Sequence, residues 1–222
     1  VRGVNLLYPH AFYYSIRGPR RDERPPDVGP HSPWWDRYQT FADYCRRLSW
    51  VNTDGAHVCH VAILGESDYL PWEAAKVCYQ QQRDFNYLEM RHLWEDAVVD
   101  GDGIRLAGMH YAVLVVDGLT HLPAAAMEPL QRLAEAGRLV LWGDLPPTLG
   151  GAVRAHTPQA LVAAIDRCAP PDLTPSPPHP DIRYRHQIKH GTHYYLICNE
   201  GMAPVETTVS VPVAGKRAWL DL

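Results

Sequence analysis

The sequence predicts an α/β protein: a parallel sheet covered by helices on both faces, followed by the opening strands of an antiparallel β-sandwich. Three observations predict it. Tyr111-Ala-Val-Leu-Val-Val-Asp117 and Gly137-Arg-Leu-Val-Leu-Trp142 are apolar on successive residues, so neither face of either strand can be wet. Residues 123–136 between them have helical periodicity, which completes a βαβ unit. Beyond a proline-rich stretch at 170–180 the hydrophobic period changes to two, the pattern of half-buried strands.

Composition narrows the function classes. The chain has 222 residues, enough for a sizeable core. Its net charge is −4 and it carries no basic stripe, so no nucleic acid is expected as a partner. No run of 18 apolar residues exists, so no membrane partner is expected either. Five cysteines at irregular spacing argue against a disulfide framework. Twenty prolines cluster at 19–33 and 170–180 and mark boundaries. Three segments result: 1–33, an α/β domain at 34–170, and a partial β-sandwich at 181–222. The chain starts at Val1 and ends in Trp219-Leu-Asp-Leu222, which reads as an internal piece of a longer protein.

In the first segment, residues 3–8 read as a buried strand. The loop after it carries Tyr8, His10, Tyr13 and Tyr14. A strand followed by such a loop suits the rim of a (β/α)₈ barrel. Aromatic faces beside a His or a Tyr hydroxyl suit a sugar ring, whose C–H groups stack and whose hydroxyls are hydrogen-bonded. A core strand with ordinary buried aromatics is the simpler reading. Residues 17–33 are an irregular loop.

In the second segment, Ser32 reads as an N-cap and Pro33 as the first position of an amphipathic helix over 34–50. Residues 58–64 are the first sheet strand, 72–82 a helix, and 84–95 a further helix. A short strand at 104–106 and the central strand at 111–117 follow. The helix before residue 137 contains Pro129, which places its regular start near Glu128. Thr157 as N-cap with Pro158 at the first position opens a last helix running to Cys168. Strands alternating with helices in this way make a doubly wound sheet of flavodoxin-like type. Ligands in such sheets bind at the carboxyl ends of strands, here 65–71, 117–122 and 143–147. In the third segment, strands are expected at 182–189, 193–198, 207–213 and 216–222.

The usual chemistry is absent from these positions. There is no Gly-x-Gly-x-x-Gly and no phosphate loop, and no nucleotide cofactor is expected. A class I glutamine amidotransferase-like sheet would need a cysteine on a glycine-flanked elbow. None of Cys45, Cys59, Cys78, Cys168 or Cys198 has that context. His57 and Cys59 share a strand face while His60 points away, which leaves too few ligands for structural zinc, so no metal is expected. Asp43, Glu66, Asp68, Glu73, Glu89 and Glu95 show no legible pairing. A glycosidase needs two carboxylates across the scissile bond.

Several stretches together carry a family resemblance. They are Tyr8-Pro-His-Ala-Phe-Tyr-Tyr-Ser15, Pro33-Trp-Trp35, Arg47-Leu-Ser-Trp50, Val61-Ala-Ile-Leu64, Leu70-Pro-Trp72 and Gln82-Arg-Asp-Phe-Asn-Tyr-Leu88. The chain resembles large multidomain bacterial glycoside hydrolases, most of all family 106, the α-L-rhamnosidase-like enzymes. Family 2 and family 42 β-galactosidase-like enzymes share the layout. The resemblance implies a catalytic barrel, then an amidotransferase-like α/β domain without its nucleophile, then β-sandwiches. Arg217-Ala-Trp-Leu-Asp221 is similar to a strand of those sandwiches. It implies catalytic carboxylates upstream of Val1 and no catalytic residue here. Tyr8, His10 and Tyr13 match positions that line the sugar site. Carbohydrate, met through the parent enzyme, is the implied partner. A homo-oligomer, or a carbohydrate-binding or oligomerisation module, is compatible with the same residues.

Overall fold

A computed structural model describes residues 2–22, 25–119, 121–143 and 149–220. The chain divides into two compact units: Val1–Ala56 with Gln187–Tyr194 and Gly215–Leu222, and His57–His186 with Tyr195–Ala214.

The first unit holds two short 3₁₀ turns, Gly18–Asp22 and Trp35–Arg37, and helix α1, Tyr38–Asn52. The second turn begins where Ser32 accepts from the amide of Trp34 through its Oγ, 3.3 Å away. Regular α-helix starts at Tyr38, four residues after the start of the expected helix over 34–50, because the first turn is wound as 3₁₀. Lys189, buried, donates from Nζ to the carbonyls of Trp50 and Thr53 and lies over the Trp50 ring at 4.3 Å. A cation there satisfies carbonyls left open at a helix C-terminus.

Residues 3–8 are not the buried strand the sequence predicts. Leu6 and Tyr8 are exposed and no strand partner lies alongside them among the described residues. An apolar run becomes a strand only where a ladder and a covering layer exist. The loop after it is tied locally instead. Asp27 accepts from the amides of Tyr13, Gly29 and His31, and Val28 donates to the carbonyl of Ala11.

The second unit contains β1 (Ala56–His57, of which His57 belongs here), β2 (Val61–Gly65), α2 (Glu73–Gln80), β3 (Asn86–Glu89) and α3 (His92–Glu95). Next come β4 (Val98–Asp100), β5 (Gly103–Leu106), β6 (Met109–Tyr111), β7 (Val113–Asp117) and α4 (Ala124–Glu135). Then follow β8 (Leu139–Trp142), β9 (Val153–Ala155), α5 (Pro158–Cys168) and β10 (Thr174–Ser176). The series ends with β11 (Ile182–Lys189), β12 (Thr192–Asn199) and β13 (Thr208–Ser210). The tip of the β11–β12 hairpin groups with the first unit.

Five parallel strands form the central sheet in the order β3-β2-β7-β8-β9. This is the α/β fold that the sequence predicts, with helices on both faces and antiparallel strands after it. Its two faces can be read from alternate residues. Ala62, Leu64, Leu114, Val116, Leu139 and Leu141 enter one core layer with Leu130 and Leu133 of α4. Val61, Ile63, Val113, Val115 and Val140 enter the other with Ala74, Cys78, Leu161 and Ile165 of α2 and α5. Successive side chains of a strand point to opposite faces, so burial on both faces requires the unbroken apolar runs observed.

Several details depart from the sequence reading. Residues 84–95 are not one helix: 86–89 form strand β3, parallel to β2, and only His92–Glu95 turn helically. β9 pairs with β8 at a place where the sequence reading puts no strand. α4 runs through the buried Pro129 from Ala124 onward. Pro129 stands in the helix interior, where it removes one ladder hydrogen bond, and burial of the ring offsets part of that loss. Residues 104–106 pair in a separate antiparallel sheet, β4-β5-β6. β10 pairs antiparallel with β13, which spans only 208–210, and no strand forms at 216–220. Residues 221 and 222, and most of the expected exit loop at 143–147, lie outside the described residues.

Candidate functional site

In the order β3-β2-β7-β8-β9 the chain moves outward from β2 to β3, then crosses back to β7. The switch point is therefore between β2 and β7, and the crevice beyond their carboxyl ends is where a doubly wound sheet binds its ligand. The residues at this place all belong to the second unit.

The crevice is filled by the chain itself. β7 ends in Asp117, which is 5% exposed. Its Oδ2 accepts from the amide of Ala74 at 2.8 Å, in the first turn of α2. The backbone of Glu73 also donates to this carboxyl. The open amides of a helix N-terminus, where a doubly wound sheet would hold a phosphate, are thus met by a side chain. Burial pushes the Asp117 carboxyl above its ordinary range, against the hydrogen bond from Ala74, which pulls it down.

The loop after β2 covers the rest. Glu66 donates its amide to the carbonyl of Tyr69 at 2.8 Å, a tight turn that folds the loop back. The Tyr69 hydroxyl lies 3.0 Å from where a Cβ on Gly118 would stand. Gly118 has φ +64°, so glycine serves both the turn and the close approach. Leu70 lies as closely over Gly65, and the Tyr87 hydroxyl donates to the carbonyl of Pro71 at 2.7 Å.

No cysteine stands in the loops at the carboxyl ends among the described residues. Cys59 and Cys78 are buried, and burial pushes both thiols up, Cys78 to about 12. A thiol so raised is not the reactive thiolate. Cys59 bonds the carbonyl of Val61 and lies before β2, not after it. Glu89 and Glu95 both approach Arg91, at 2.8 and 3.9 Å, and Asp43 pairs with Arg46 at 2.8 Å. These are surface ion pairs and not two carboxylates facing a substrate.

At the amino end of the same strands is a buried polar network that the sequence did not reveal. His57 Nε2 stands 2.6 Å from Asp84 Oδ2, with both side chains almost covered. Asn86 reaches toward His57 Nδ1 at 3.5 Å and donates to the Tyr111 hydroxyl at 3.1 Å. A second pair joins His186 Nδ1 to Asp172 Oδ2 at 2.9 Å, with the Tyr195 hydroxyl donating to the other oxygen at 3.1 Å. The His186 ring stacks on Tyr195 at 4.0 Å. A His–Asp dyad needs a nucleophile on the far ring nitrogen to do acyl chemistry, and beside His57 an amide stands in that place. His60 Nδ1 meets the carbonyl of His110 at 3.2 Å.

Tyr8, His10 and Tyr13 all fall in the first unit. Tyr8 is 95% exposed and His10 is exposed. Tyr13 is half-buried, and its hydroxyl donates to the carbonyl of Pro25 at 2.8 Å. The structure does not bring the three into one cluster. The aromatic cluster of this unit forms elsewhere, from Phe12, Trp35, Tyr38 and Phe41, with Trp35 and Tyr38 stacked at 5.1 Å.

No family model and no curated protein matches the chain. Among solved structures, its fold is similar to part of a rhamnosidase from Novosphingobium sp. PP1Y. The TM-score is 0.54 and the identity 17%, over 75% of this chain. The match spans only 19% of the rhamnosidase chain. At that identity the likeness is one of fold. The chain therefore has a fold that also occurs within a glycoside hydrolase.

Proposed function

We propose that this chain is a non-catalytic internal portion of an α-L-rhamnosidase-like glycoside hydrolase of family 106, acting on plant or bacterial glycans. In this reading 1–33 closes a catalytic barrel, 34–170 is an amidotransferase-like domain without its nucleophile, and 181–222 opens a β-sandwich. The chain supports the barrel and the assembly of the domains. Tyr8, His10 and Tyr13 line the sugar site of the intact enzyme. Carbohydrate is the partner, and neither nucleic acid, membrane, metal nor cofactor is needed. The observation that carries the reading is the likeness in fold to a stretch of a rhamnosidase across three quarters of the chain. The self-filled switch point supports the non-catalytic part.

The exposed aromatics Tyr8, Tyr14 and Trp34 favour a second reading, a carbohydrate-binding or oligomerisation module. Isothermal titration of the chain with rhamnose and galactose oligosaccharides separates the two. The internal-portion reading expects no heat of binding. Millimolar or tighter binding, lost in Trp34→Ala, would replace it with the module.

A further inference from the structure

We draw no further inference here: the strongest candidate, the exposed side-chain cluster of His92, Glu95 and Asp96 beyond β3, whose ligand atoms lie within 4.8 Å of one another, carries nothing because these groups already form surface ion pairs and no second observation points to a ligand.

Discussion

At Asp117 two effects oppose each other: burial disfavours the ionised carboxyl, and the amide of Ala74 favours it. Burial is the larger, so the folded-state pKa lies above the unfolded value of about 3.9. Between those two values the folded chain holds a proton that the unfolded chain has released. Stability from this residue therefore rises as the pH falls through the folded pKa, and levels off below the unfolded one. Asp117→Asn keeps an acceptor for Ala74 without the titration. Denaturation at pH 7 and near pH 4 should show wild type gaining on Asp117→Asn at the lower pH. An equal difference at both would contradict this. At the other end of the strands, His57→Ala should leave Asp84 Oδ2 covered and without its partner, while Oδ1 keeps the amide of Phe85. Leaving one buried acceptor unmet costs about 1–3 kcal/mol. A loss below about 1 kcal/mol in urea denaturation would mean that Asp84 does not depend on His57. Neither contact is legible in the sequence: Ala74 and Asp117 are 43 residues apart, and His57 and Asp84 are 27 apart. Only the fold brings them together. The Thr157 cap is legible because its bond to the amide of Ala160 closes within three residues.

Among elements, legibility follows position in the sheet. β2, β7 and β8 are interior strands, buried on both faces, and their apolar runs announce them. β3 and β9 are the edges. Asn86 and Glu89 in one and Arg154 in the other interrupt the apolar run, as edge strands commonly do. The sequence therefore suggests a helix in one place and no strand in the other. Exposure on α4 separates the core from the surface in the same way. Leu114, fully buried between layers, should leave a cavity as Leu114→Ala and cost about 2–5 kcal/mol. Gln131 lies on the outer side of α4 and donates to Glu135 and Gly150. Gln131→Ala should stay within about 0.5 kcal/mol. Chemical denaturation of both variants checks the pair, and equal midpoints would place β7 wrongly.

At the scale of the whole molecule, the fold class is legible in the sequence. The lack of glycine motifs and cysteine elbows argues against nucleotide and acyl chemistry from the residues alone. That the crevice is filled depends on Tyr69 meeting Gly118 and on Asp117 meeting α2, which periodicity does not encode. The proposed function has this sheet serve as support and perform no hydrolysis. Turnover of nitrophenyl α-L-rhamnoside and nitrophenyl β-galactoside by the purified chain tests it most directly. The account predicts release of nitrophenol no faster than in buffer. Release above buffer that is lost on replacing a single carboxylate of this chain, such as Glu66 or Glu89, would contradict it.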